Sequence, residues 1–117
     1  MSHHTPLEAD RHLVGAMAQG DSEALRTLHE RHGRTVYALA YGILVDPTDA
    51  EEVVSETFAY VWQAARRWVE AADQPVSGWL KEIARSRARG LLLAREWPGR
   101  LVPVRAQGAY FMLEEIQ

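Results

Sequence analysis

The sequence predicts an all-α protein, a compact bundle of three to four helices. Three observations predict it. Apolar side chains recur at three-and-four spacing through each long segment, no segment alternates apolar and polar residues as a strand does, and helix-start and helix-stop residues punctuate the chain at Thr5-Pro6, Gly20-Asp21, Asp46-Pro47 and Pro98-Gly99. At 117 residues the chain holds one core of modest size. Its 47% apolar and 25% charged residues are the balance of a globular chain rather than a disordered one.

Residues 1–6 are expected to be a disordered N-terminus, residues 7–97 the folded domain, and residues 98–117 a linker or short C-terminal helix. The first helix starts where Thr5 can cap, Pro6 can occupy the first helical position and Glu8 can close a capping box, and it ends near Gly20. Asp21 and Ser22 begin a second helix, whose Leu25, Leu28, Val36, Leu39 and Ile43 share a buried face; Gly33 is a point where it could bend or split. The turn Asp46-Pro47-Thr48-Asp49 leads into a third helix with Glu51 and Glu52 in its first turn. That helix is expected to bury Val54, Phe58, Val61, Trp62 and Ala65, with Asp49, Glu52, Glu56 and Gln63 as an opposite polar stripe.

Residues 69–78 read as a loop, with Ser77 capping the fourth helix and Pro98-Gly99 stopping it. Trp79, Leu80, Ile83, Ala84, Ala88 and Leu91 form its inner face, and Lys81, Arg85 and Arg89, four apart, form a basic ridge outside. Arg87 is anomalous, because its helical angle falls on the apolar side. It is expected to snorkel to the surface or, alternatively, to pair with a carboxylate, since an unpaired buried charge is costly. RLVPVRAQGAYFMLEEIQ reads as a linker followed by the start of a short apolar helix.

The net charge of −3 conceals a division. Residues 1–61 carry 4 basic and 10 acidic side chains, residues 62–105 carry 9 and 4, and residues 106–117 carry 0 and 2. Such asymmetry is a hint of distinct partner surfaces, the alternative being charge that is uneven but merely solvating. The ten-residue apolar run from Val36 to Val45 is half what a membrane span needs, and the N-terminus lacks the pattern of a signal peptide, so a cytoplasmic protein is expected. The absence of cysteine removes disulfides and thiolate metal sites.

Catalytic patterns are missing. There is no Glu-x-x-His pair, no phosphate-binding glycine loop, no G-x-S-x-G and no cysteine nucleophile. His29 and His32 share a helix face but have no second pair of ligands, so a structural role is expected of them. No enzyme, cofactor, metal or small-molecule substrate is anticipated. A binding role has more support: the basic ridge can neutralise phosphates, Trp68 and Trp79 could frame an unpaired base, and Asp73, Gln74 and Ser77 could read its edge. For Trp79 a place in the core is the simpler reading.

The ordered motifs G-D-x-E-A, V-Y-x-L-A, D-P-x-D-A-E-E-V-V, F-x-x-V-W and W-L-x-x-I-A-R resemble region 2 of bacterial extracytoplasmic-function (ECF) sigma factors over roughly residues 7–97. The resemblance implies a helical domain that binds the clamp coiled coil of core RNA polymerase and recognises the promoter −10 element as single-stranded DNA, with an anti-sigma factor as a further partner. By position, Asp49, Glu52, Ser55 and Glu56 would face the clamp. The loop from Val69 to Ser77, flanked by Trp68 and containing Asp73 and Gln74, would receive a flipped base, and Lys81, Arg85, Ser86 and Arg89 would touch DNA. The chain departs from the family pattern at Ser55, often Gln, at Ser86 and Gly90, often Asn and Asp, and at LLLAREW, usually more basic. The alternative is a stand-alone sigma-like domain that binds polymerase or an anti-sigma factor without reading a promoter. No helix-turn-helix follows Pro98, and the chain stops within an apolar segment, so a fragment of a longer sigma factor is expected rather than a natural single-domain protein.

Overall fold

Helix α1 (Pro6–Ala18) begins with the capping box expected of it: the Glu8 N–H donates to Thr5 Oγ1 at 3.1 Å and the Thr5 N–H donates back to Glu8 Oε2 at 3.3 Å. It closes in a Schellman motif around Gly20, whose φ of +93° suits glycine, with Asp21 N–H donating to the Ala16 carbonyl and Gly20 N–H to that of Met17. The computed structural model describes residues 5–71, 74–96, 101–104 and 109–112.

Asp21 caps helix α2 (Ser22–Leu44), its Oδ1 accepting from the N–H groups of Glu23 and Ala24. The helix runs unbroken through Gly33, where the sequence allows a bend. Gly33 serves packing instead: a Cβ there would lie 3.2 Å from Cε1 of His29, whose ring sits 4.7 Å from that of Phe58. Helix α2 ends at Val45, a non-glycine residue in the left-handed region at φ 52°.

Helix α3 (Pro47–Ala71) starts earlier than expected. Asp46 is its cap, accepting from the Asp49 N–H at 2.9 Å, and Pro47 takes the first helical position. The expected loop 69–78 is largely helical: α3 continues to Ala71 and helix α4 (Val76–Glu96) already includes Ser77, which is therefore not a cap. No helix breaker stands before Pro75, which excludes the residue before it from helical geometry, and burial of Trp68 favours extending α3 up to that point.

Beyond α4, the backbone of β1 (Leu101–Val104) pairs antiparallel with β2 (Ala109–Met112), Val102 opposite Phe111. The helix start expected here does not form over these residues. Pro103 opposes a helix, and the β-branched and aromatic residues around it favour an extended chain.

Helix α2 contacts each of the other three helices. The core combines Val14, Leu28, Val36, Val53, Val61, Val76 and Leu80 with a seam of small residues at Ala40, Ala50, Ala65, Ala84 and Ala88 that lets the helices approach closely. Leu25, Leu39, Ile43, Trp62 and Leu91 lie at its rim rather than inside it. One carboxylate is buried within this frame. Asp10, 2% exposed, accepts from Arg31 Nε at 2.8 Å and meets His32 Nε2 at 2.8 Å, joining α1 to α2. His32 is thus a structural histidine. None of the described helices is long and apolar enough to cross a membrane.

Asp10→Ala should remove this tie and strand a partly buried guanidinium, lowering unfolding free energy by about 2 kcal/mol, below the range for fully buried pairs because Arg31 is partly solvated. Urea unfolding followed by circular dichroism measures it.

Candidate functional site

Helix α3 sorts its residues outside the central core onto three lines, and their fates differ. Asp49, Glu56, Tyr60, Ala64 and Arg67 recur at three and four and border α4. Glu51 and Ser55 border α2. Glu52, Gln63 and Arg66 are exposed between them. The four carboxylate and hydroxyl residues expected to face one partner are therefore divided.

Glu56 meets Arg87 of α4 across 2.7 Å, and that guanidinium also lies 5.7 Å from the ring centroid of Tyr60. The Arg87 side chain is only 15% exposed, so it pairs rather than snorkels. Near the start of α3, Asp49 pairs with Arg95 near the end of α4, and Arg95 also donates to the Leu44 carbonyl at the end of α2. Both ion pairs bind α3 to α4. Glu52 and Ser55 remain exposed, and among the described residues Glu51 and Glu52 have no cationic partner.

Ser55 lines a groove of about 590 Å³ between α2 and α3, with His29, Glu30, Gly33, Arg34, Tyr37, Glu51 and Val54. Sequence patterns alone do not reveal it, because it lies between two helices whose mutual packing no periodicity within either one specifies.

The second region lies where α3 and α4 diverge. Trp68 and Trp79, 8% and 9% exposed, stack at 5.2 Å with an interplanar angle of 19°. The guanidinium of Arg11 stands 5.4 Å from the Trp68 ring. The Trp68 ring packs against Trp79 and Arg11, since burying two indoles against each other removes far more apolar area than leaving them in water. Trp68 and Trp79 also form a wall of a cleft of about 190 Å³ completed by Tyr60, Ala64 and Arg67. The Trp68 Nε1–H is buried without an acceptor among the described residues. Tyr60 and Arg67 are not among the expected site residues; their spacing to Trp68 on one helix face is the available clue.

On α4, Lys81 and Arg89 are exposed and Arg85 and Ser86 half-buried. Among the described residues no carboxylate pairs with Lys81, Arg85 or Arg89. Gln74 and Ser77 are half-buried at the start of α4, while Asp73 lies outside the described residues. Gly90 is on the buried side of α4, so the acidic residue common at this place in the resemblance would not stand on the ridge here. No group of three or more His, Asp or Glu among the described residues is arranged to hold a metal ion.

Removing the carboxylate that neutralises Arg87 should be costly, whereas removing an unpaired one should not. Glu56→Ala is expected to lower stability by about 2 kcal/mol, and Glu52→Ala to change it by less than about 0.5 kcal/mol; paired urea melts read the difference.

Against known proteins, residues 28–97 match the family model of sigma-70 region 2. The chain is 33% identical over 86 residues to the RNA polymerase sigma factor CnrH of Cupriavidus metallidurans, covering 74% of this chain and 44% of that protein. It is 30% identical over 92 residues to the RNA polymerase sigma factor NccH of Alcaligenes xylosoxydans xylosoxydans, covering 79% and 48%. The chain thus spans about half the length of these relatives. No solved structure matches it. The matched stretch contains α3, α4, both α3–α4 ion pairs and the basic ridge, and on that match the chain belongs to the sigma-70 region 2 family.

Proposed function

We propose that the protein is a transcription-initiation module of the extracytoplasmic-function type, holding the clamp of core RNA polymerase on α3 and the promoter −10 element as single strand along α4. The observation that carries this reading is the uncompensated basic ridge of Lys81, Arg85 and Arg89 within the sigma-70 region 2 match. Three cations without a carboxylate partner among the described residues lower their energy by meeting phosphates, a term independent of base sequence. The cleft of Tyr60, Arg67, Trp68 and Trp79, on the α4-facing side of α3, supplies aromatic walls and a cation for an unstacked base, and the unpaired Trp68 indole N–H is a donor for it. Gln74, Ser77 and Ser86 would add polar contacts to the strand.

On the opposite side, Glu52 and Ser55 are the free members of the expected clamp-facing set, joined by Glu51. Asp49 and Glu56 act at one remove: by pairing with Arg95 and Arg87 they hold α4 against α3 and so set the angle between the two surfaces. An anti-sigma factor would silence the module by covering the same acidic face. A sigma factor acts by binding and catalyses no reaction itself, in keeping with the absence of a catalytic pattern in the sequence.

Arg85→Ala combined with Arg89→Ala should weaken binding to single-stranded −10 DNA and reduce the slope of log K against log salt by about 1.4, or 0.7 for each phosphate no longer neutralised. Fluorescence anisotropy across a salt series measures it; an unchanged slope removes the ridge from the interface. Glu52→Lys should weaken association with core polymerase at unchanged Tm. Run-off transcription separates promoter reading from mere polymerase occupancy, since a domain that only occupies polymerase or an anti-sigma factor yields no specific transcript.

A further inference from the structure

Helix α1 carries one Lys or Arg side chain, Arg11, and it lies in the acidic half of the chain. No carboxylate among the described residues pairs with it. The acids nearest in sequence are engaged elsewhere: Asp10 is held by Arg31 and His32 of α2, and Glu8 closes the capping box with Thr5. Arg11 is exposed, yet its guanidinium has a fixed seat, 5.4 Å from the Trp68 ring of α3. Its backbone is anchored as well, one residue from the Asp10 tie to α2. Trp68 in turn stacks on Trp79 and walls the cleft with Tyr60, Ala64 and Arg67. Arg67 is exposed and also lacks a carboxylate partner among the described residues. The fold therefore sets one cation from α1 and one from α3 beside the same pair of indoles, and brings Arg11 out of an acidic stretch of sequence to do so.

We infer that Arg11 is a phosphate-binding residue through which α1 joins α3 and α4 in holding the single strand, its guanidinium taking the phosphodiester next to the nucleotide in the Tyr60–Trp79 cleft. This rests on the DNA-binding reading above and extends it to a helix that reading leaves out. A planar guanidinium can lie against an indole and still present N–H groups at its edge to two phosphate oxygens, which a lysine ammonium cannot do. An arginine already seated on a ring gives up less side-chain freedom on binding than a loose one. With no carboxylate partner, it has no ion pair to break first. Aromatic rings flanked by cations suit a nucleotide, which joins a flat base to an anion, whereas an acidic peptide would use the cations and leave the rings idle.

The test is fluorescence anisotropy of the −10 single strand over a salt series, together with Tm, for Arg11→Ala and Arg11→Lys beside wild type and the Arg85→Ala, Arg89→Ala pair. Arg11→Ala should bind several-fold more weakly and lower the slope of log K against log salt by about 0.7, the share of one phosphate. Added to the ridge pair, it should bring the total fall to about 2.1. Arg11→Lys keeps the charge and should keep the slope, while binding more weakly than wild type because the two-pronged contact is gone. A slope lowered by Arg11→Ala but not by the ridge pair upholds the inference and removes the ridge. A wild-type slope in Arg11→Ala overturns the inference and leaves the ridge standing. A wild-type protein that does not bind the strand overturns the inference and the DNA-binding reading together. Weaker binding at an unchanged slope, with a lower Tm, makes Arg11 a prop for Trp68 and overturns the inference, as does an Arg11→Lys slope as low as that of the alanine variant.

Discussion

A guanidinium inside a helix-to-helix contact has to be neutralised where it lies, and Arg87 imposes this requirement on the whole domain. It occupies the inner face of α4, 15% exposed, and the charge it needs is Glu56 of α3. Sliding or rotating α4 would leave both charges unpaired in a poorly solvated place, at a cost of several kcal/mol. The register of α4 on α3 is thereby narrowed to the one that lets the pair form. The second pair, Arg95 with Asp49, ties the far end of α4 to the start of α3 and reaches the end of α2.

Everything on the outside of α4 follows from that register. The ridge of Lys81, Arg85 and Arg89 points away from α3 because Arg87 points towards it. The cleft between Tyr60 and Trp79 lies one turn along α3 from Glu56, so the pair that sets the register also shapes the cleft, with Arg87 lying over the Tyr60 ring. Charges in this domain divide into those consumed by the fold, namely Asp10, Asp49, Glu56, Arg31, Arg87 and Arg95, and those left in solvent. The first group is at least partly buried for the most part. The second, Glu51, Glu52, Lys81 and Arg89, is exposed and without internal compensation among the described residues.

Much of this is legible in the sequence. Caps at Thr5 and Asp21, the stop at Gly20, the helical period of four segments and the ridge on α4 are local properties, decided within a turn or two of backbone. The failures share a cause as well. Residues 69–71 and Ser77 flank the polar Asp73-Gln74-Pro75 stretch and read as loop, but burial of Trp68 against Trp79 and the lack of a breaker before Pro75 carry the helices closer together. Gly33 has the signature of a bend, although it accommodates the His29 ring packed against Phe58. The segment after α4 has the apolar character of a starting helix, whereas its described backbone pairs as a hairpin.

The sequence by itself determined that the protein is helical, where most helices begin, which family it belongs to and that acidic and basic residues concentrate in different stretches. It left Arg87 with two outcomes and grouped Asp49, Glu52 and Glu56 as one stripe. Only the tertiary structure decided which of those carboxylates are free, because a side chain at the edge of a helix face belongs to solvent or to a neighbouring helix according to what packs beside it. Helical angle is a local quantity that the chain encodes directly. Charge pairing across α3 and α4 depends on a contact 31 residues apart in sequence, which no periodicity within either helix can specify.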